Sequence, residues 1–199
     1  MTIINCKKNF NKIYKILKNK KNKNIFLTGG KSIIELYSFL KKKKYFETKN
    51  NFFLTDERIV IPKNIKKTNT YLLKKKLSIS FKNFEDLYLY NKFKPQKFIN
   101  KISKRNFNID YLFLSFGSDG HIASLFRINK DIKKNYRYTK SINHEFRRFT
   151  VSEKMISKSK NTFLIIKDEK RYKLFKEMRL KSNLLPISIL ENYFLVLLF

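Results

Sequence analysis

The sequence predicts an α/β protein with a mostly parallel sheet covered by helices on both faces. Two observations carry this expectation. Short apolar runs alternate with amphipathic helical stretches along most of the chain, as successive strand and helix units require. All four glycines fall in two loops, and each loop directly follows an apolar run. In such folds ligands bind outside the carboxyl ends of the strands, where loops of this kind gather.

The elements follow in order. Phe10, Ile13, Tyr14 and Leu17 stand at helical spacing and open the chain with an amphipathic helix over about 6–18. Asn24-Ile25-Phe26-Leu27-Thr28 reads as a strand ending in the Gly29-Gly30 turn. The next helix has a start signal, Ser32-Ile33-Ile34-Glu35, a capping box with Ser32 as N-cap and Glu35 at N3. Ile33, Ile34, Tyr37 and Leu40 give it an apolar face, and Lys41-Lys42-Lys43-Lys44 sits at its C-terminus, where cations suit the macrodipole. A strand at 51–55 runs into the charged loop Asp56-Glu57-Arg58. A helix near 68–77, a strand near 86–90 and a helix over 95–104 precede the apolar strand Tyr111-Leu112-Phe113-Leu114. Beyond it, 136–142 and 147–151 read as strands, 152–159 as a helix, 162–166 as a strand, 168–180 as a helix and 193–198 as a last strand.

Composition narrows the function classes. At 199 residues, with 42% hydrophobic and 16% aromatic residues, the chain reads as one folded domain over 1–199. Cys6 is the sole cysteine, so neither a disulfide framework nor a cysteine zinc site is expected. The start lacks a signal-peptide core, and the terminal Tyr193–Phe199 run is too short to span a bilayer. A cytoplasmic protein with no membrane partner is expected. The net charge of +31 invites a nucleic-acid reading. The excess is almost all lysine, dispersed among Asn, Ile, Phe and Tyr, which is what A+T-rich coding produces; no specific nucleic-acid partner is expected.

The candidate site lies on the three strand-end loops. The helix opening after Gly29-Gly30 offers backbone N–H groups and a positive dipole end to an anion, with Lys31 and Ser32 adding donors. Arg58 suits a phosphate fork or a structural ion pair. In Gly117-Ser118-Asp119-Gly120-His121, the imidazole can take a proton from water near neutral pH, with Asp119 placed to support it. His144 has no such setting. No metal-ligand cluster or nucleotide loop is present in the sequence, so no cofactor is expected.

At these residues the chain resembles the 6-phosphogluconolactonase family, within the glucosamine-6-phosphate isomerase/6-phosphogluconolactonase superfamily. Gly117-Ser118-Asp119-Gly120-His121-Ile122-Ala123-Ser124-Leu125-Phe126 is similar to its G-x-D-G-H-x-A-S-L-F signature. Leu27-Thr28-Gly29-Gly30 with Leu36-Tyr37, the D-E-R-x-V-P…N…LL block at Phe53–Pro62, Asn69 and Leu72-Leu73, Arg148-Phe149-Thr150, Lys170 and Leu185–Leu190 follow in family order. The chain departs at Lys31-Ser32-Ile33, where the family has S-T-P, at Lys167, where it has glycine, and at Arg127, where it often has proline.

The resemblance implies a Rossmann-like three-layer α/β/α sandwich and hydrolysis of 6-phospho-D-glucono-1,5-lactone to 6-phospho-D-gluconate. It implies His121 as general base, Asp119 as its support, and a substrate site from Gly29, Gly30, Lys31, Ser32, Asp56, Arg58, Gly120, Arg148 and Lys170. Glucosamine-6-phosphate deaminase, which shares the fold and a D-G-H-I-A core, is the nearest alternative, with Asp56 as the base. Its pattern continues F-N-E-P where this chain has Ser124-Leu125-Phe126, and it favours D-E-Y over Asp56-Glu57-Arg58. A basic nucleic-acid- or sugar-phosphate-binding protein without turnover is the other alternative.

Overall fold

The structure, a computed structural model, describes residues 1–7, 9–30, 33–78, 108–129, 133–140, 145–181 and 186–199. Six parallel strands form the main sheet in the order β1 (Thr2–Asn5), β9 (Tyr193–Leu197), β8 (Thr162–Ile166), β5 (Tyr111–Ser115), β2 (Asn24–Leu27) and β3 (Asn51–Leu54). All five residues of β8 are buried. Side chains alternate between the faces of a strand, so both faces are covered and the architecture is the expected three-layer α/β/α sandwich.

The described helices are α1 (Asn11–Leu17), α2 (Ile34–Lys42), α3 (Asn69–Leu77), α4 (Glu153–Ser157) and α5 (Glu169–Lys181). Aromatic rings set the packing on the sheet. Phe113, Phe163 and Phe194 stand side by side on β5, β8 and β9, with centroids 4.9 and 5.0 Å apart, and Tyr37 of α2 meets Phe113 edge-on at 6.2 Å. Phe26 and Phe53 stack at 4.7 Å across β2 and β3. Such pairs add directional preference to apolar burial, which helps hold neighbouring strands in register.

Strand order locates the crevice. From β2 the chain steps outward to β3, whereas β5, β8 and β9 build away on the other side of β2. The switch point therefore lies between β2 and β5, whose carboxyl ends carry Gly29-Gly30 and the Gly117–His121 loop.

Two expectations are corrected, and a strand is found where none had been assigned. Asp56-Glu57-Arg58 is not a loop: it is a strand, β4 (Asp56–Arg58), that begins a second, antiparallel sheet with β7 (Arg148–Val151) and β6 (Tyr136–Thr139). The N-cap position of α2 falls on Ile33 and carries no side-chain cap, so Glu35 stands at N2 rather than N3. Residues 2–5, which showed no strand signal, form the edge strand β1. Its side chains are mostly exposed, so little apolar patterning marked it. The strand near 86–90, the helix over 95–104, Ser32 and His144 lie outside the described residues.

Glu57 explains why a charged triplet can lie inside the protein. Its carboxylate is fully buried against the start of α3. Oε1 accepts from Arg58 N (2.7 Å) and Asn69 N (2.8 Å); Oε2 accepts from Thr70 N (2.7 Å) and Thr70 Oγ1 (2.6 Å). Two of these donors are N–H groups that the first turn of a helix cannot pair internally, and the carboxylate also faces the positive end of the helix dipole. Thr68 completes the cap by accepting from Tyr71 N at 3.1 Å. Burial pushes the Glu57 carboxyl up, and the hydrogen bonds from Thr70, Asn69 and Arg58 oppose that rise.

Two stability outcomes are expected. Phe113→Ala removes a ring from the centre of the sheet and should cost about 3–5 kcal/mol in a denaturant titration. Glu57→Gln puts an NH2 donor against N–H or O–H donors at one of the two oxygens and should cost about 1–3 kcal/mol. A Gln variant that melts like the parent would show that the cap does not need an acceptor at both oxygens.

Candidate functional site

The Gly117–Ser124 segment is a compact loop at the end of β5. Phe116 bridges Ile122, which bridges Leu125, and Gly117 N donates to His121 O at 2.9 Å while Gly120 N donates to Gly117 O at 3.2 Å. The loop folds His121 back beside Asp119, and His121 Nδ1 hydrogen-bonds Asp119 Oδ1. Gly117 is the residue that makes this possible: a Cβ there would overlap the His121 ring and lie 2.8 Å from Asp119 Oδ1. Gly120 sits at φ +85°, and a Cβ on it would collide with Met178 of α5. The His121 ring also packs at 5.1 Å from Phe126. The hydrogen bond from His121 holds the Asp119 carboxyl well below the usual carboxylate range, against the opposing effect of burial.

A buried polar cluster ties this loop to the second sheet. Asp56 is 3% exposed. Its Oδ2 accepts from Ser124 Oγ at 2.6 Å, and its Oδ1 accepts from Thr55 Oγ1 at 2.9 Å. Ser124 N in turn donates to Thr150 Oγ1 at 3.2 Å, from the residue of β7 directly opposite Asp56. Arg148 Nη1 stands 3.9 Å from Asp56 Oδ2. Burial pulls the Arg148 guanidinium below its ordinary value. Asp56, Glu57 and Asp119 oppose that shift, and Arg58 reinforces it.

Register brings two cations together. Arg58 and Arg148 are cross-strand partners in the β4·β7 pair. Like charges placed opposite each other are unfavourable unless something anionic is shared between them. Arg58 is turned by neutral acceptors, with Nη1 donating to Lys67 O (2.7 Å) and Asn69 Oδ1 (3.2 Å). The same Asn69 side chain lies where a Cβ of Gly29 would stand, so Arg58 is held beside the glycine loop. Tyr37 fixes the entry to that loop, its hydroxyl donating to Thr28 O at 3.1 Å. Burial pushes the Tyr37 hydroxyl well above its ordinary value and keeps it a neutral donor. Gly30 has φ +105°, and a Cβ built on it would meet no described atom within 4 Å.

The structure thus brings together Gly29, Gly30, Asp56, Arg58 and Arg148, and binds the Asp119/His121 loop to them through Ser124. Lys170 is on the first turn of α5, which packs on Gly120 through Met178. With Ser118, Arg171, Lys173, Leu174 and Glu177 it borders a cavity of about 650 Å³ between the loop and the helix. Asp168 prepares that helix start by accepting from Arg171 N at 2.9 Å. Lys31 and Ser32 lie outside the described residues. The residues that sequence reasoning missed are Thr55, Ser124, Thr150 and Asn69. All four stood within recognised motifs, but which residues they touch depends on strand register and loop packing. Among the described residues, no group of three His, Cys, Asp or Glu side chains is placed to hold a metal, and no helix is long and apolar enough to cross a membrane.

Known proteins resemble this chain in sequence and in fold. The 6-phosphogluconolactonase of Borreliella burgdorferi is 35% identical over 118 residues, covering 53% of this chain and 49% of that protein. The 6-phosphogluconolactonase of Thermotoga maritima is 28% identical over 129 residues, covering 62% and 59%. These matches therefore span about half to three-fifths of the relatives' length. In fold, the crystal structure of 6-phosphogluconolactonase from Thermotoga maritima superposes with a TM-score of 0.79 at 20% identity, over 98% of this chain and 99% of that one. A 6-phosphogluconolactonase from Shewanella baltica gives 0.78 at 17% identity, over 99% and 97%. The family model described as glucosamine-6-phosphate isomerases/6-phosphogluconolactonase matches residues 5–194, and this chain belongs to that family.

Proposed function

We propose that this chain hydrolyses 6-phospho-D-glucono-1,5-lactone to 6-phospho-D-gluconate. The observation that carries the reading is the Asp119–His121 pair, set on the loop at the switch point and joined through Ser124 to β4 and β7, the two strands that bear the opposed Arg58 and Arg148. With Nδ1–H donated to Asp119, the imidazole is the tautomer whose Nε2 is basic. His121 Nε2 takes a proton from water as the water oxygen attacks the lactone carbonyl. The tetrahedral intermediate collapses, the bond from the carbonyl carbon to the ring oxygen breaks, and the imidazolium returns its proton to that oxygen. Asp119 stays ionised throughout and stabilises the imidazolium, as the buried carboxylate of a hydrolase triad does.

Arg58, Arg148, Lys170 and the backbone of Gly29 and Gly30 hold the phosphate at the other end of the substrate. The opposed guanidiniums favour a dianion there, and the open left-handed backbone at Gly30 admits close approach. Asp56 is enclosed by the hydroxyls of Thr55 and Ser124 and pairs with Arg148. That supports a role in holding the site rather than direct substrate contact, and it disfavours the deaminase alternative, which needs Asp56 as a base within reach of substrate.

The deciding assay is lactone hydrolysis by purified protein, with substrate generated in situ and spontaneous opening subtracted. His121→Ala should lower kcat about 10²–10⁴-fold while the protein stays folded by circular dichroism. A folded variant with parental turnover overturns the mechanism. Asp119→Asn should approach the same loss by presenting the wrong tautomer. Because Asp119 is held below the ordinary carboxylate value of about 3.9, it remains ionised above about pH 4. The acid limb of kcat/KM should then have single-proton slope above that pH.

Arg58→Ala and Lys170→Ala should chiefly raise KM for the phosphorylated lactone and spare a non-phosphorylated gluconolactone. Equal losses on both substrates would assign these residues to structure instead.

A further inference from the structure

We propose that Asn69 is a positioning residue that holds Arg58 beside the Gly29-Gly30 loop and so sets affinity for the phosphoryl end of the substrate. The proposal rests on the phosphate site inferred above. Asn69 is 2% exposed, yet it is neither catalytic nor at a sheet centre; it is the first residue of α3. Each polar atom has a distinct task. Its N–H donates to Glu57 Oε1 at 2.8 Å, Nδ2 donates to Asp56 O at 3.0 Å, and Oδ1 accepts from Arg58 Nη1 at 3.2 Å. The carboxamide also occupies the space that a Cβ on Gly29 would need, so the glycine loop rests directly on it.

These contacts dictate the residue type. The side chain must donate to a backbone carbonyl and accept from a guanidinium at once, which an amide does and a carboxylate or an aliphatic group does not. It must also be neutral. Both acceptors of Arg58 Nη1, Lys67 O and Asn69 Oδ1, carry no net charge, so the guanidinium is oriented without being neutralised. A carboxylate in the same place would orient Arg58 equally well but would offset the charge that an anionic ligand is to meet. Arg148, directly opposite, has Asp56 as its counter-charge. Arg58 is therefore the guanidinium of the pair whose described holders are neutral, and Asn69 keeps it so.

The test compares Asn69→Ala, Asn69→Asp, Arg58→Ala and the double variant Arg58→Ala/Asn69→Ala. Three readouts serve: kinetics on the phosphorylated lactone, kinetics on an unphosphorylated gluconolactone, and calorimetric titration with inorganic phosphate. Asn69→Ala should raise KM for the phosphorylated substrate about tenfold, weaken phosphate binding in proportion, and act on KM rather than kcat. Asn69→Asp, which keeps the shape and an acceptor for Arg58, should weaken phosphate binding at least as much. Once Arg58 is gone, removing Asn69 should add less than about a twofold further loss, because both changes act through one guanidinium.

Equal losses on both lactones, multiplicative losses in the double variant, or phosphate affinity retained by Asn69→Asp would each overturn the proposal. If Asn69→Ala does not fold, the Asp variant decides the matter. Parent protein that binds phosphate but hydrolyses no lactone would overturn the enzymatic reading, and the phosphate titrations would still decide the role of Asn69.

Discussion

Period-two alternation along three residues of β4 is the constraint on which the site depends. Asp56 and Arg58 share one face of that strand and Glu57 takes the other. Glu57 turns toward α3 and satisfies its first N–H groups. Asp56 turns toward Ser124 and Arg148 and so gathers the Asp119/His121 loop and β7. Arg58, on the Asp56 face, reaches Asn69, whose side chain lies against Gly29. A one-residue slip in the β4·β7 register would exchange these faces, leaving Glu57 among hydroxyl donors it does not fit and α3 uncapped. The buried carboxylates thus specify the site's geometry, and each is matched by donors that offset the cost of removing it from water.

The sheet strands and the histidine loop were legible because their signals are local. Tyr111–Leu114 is a continuous apolar run, and Gly117 and Gly120 flank the chemistry within a few residues. The Asp56-Glu57-Arg58 triplet was illegible for the opposite reason. Charged residues in sequence ordinarily mean solvent, and the partners that reverse this meaning are 13 residues away at Thr70 and 68 away at Ser124. Pairing of Arg58 with Arg148 depends on strand register across a separation that no local pattern encodes. Family resemblance pointed to several of these residues without saying which touch one another. Strand β1 escaped notice because an edge strand with exposed side chains needs no apolar alternation.

The charge of the chain looks different once the site is resolved into contacts. Of 46 basic residues, the proposed phosphate site draws on Arg58, Arg148 and Lys170. Two of these three are arginines, although arginine supplies only a small part of the cationic total. This is the distribution expected where fixed, forked donors matter at the site and point charges suffice elsewhere. The dispersed lysines contribute a general attraction for anions that salt screens beyond about 8 Å. That long-range field acts on encounter, whereas the paired guanidiniums act on the bound state.

Asp56 shows how one buried carboxylate can serve different chemistries in a shared fold. A carboxylate that is to move protons needs an oxygen facing the substrate. Here one oxygen accepts from the Thr55 hydroxyl and the other from the Ser124 hydroxyl, and Arg148 lies alongside. The group is thereby occupied in organising its neighbours. Ser124 stands where the deaminase pattern departs from this chain, immediately after Asp119-Gly120-His121-Ile122-Ala123. Its hydroxyl closes off Asp56 while its N–H docks on Thr150, so the residue that distinguishes the two sequence patterns is the one that joins the histidine loop to β4 and β7. With Asp56 so occupied, the proposed proton transfer is assigned to His121, the imidazole that Gly117 makes room for and Asp119 hydrogen-bonds.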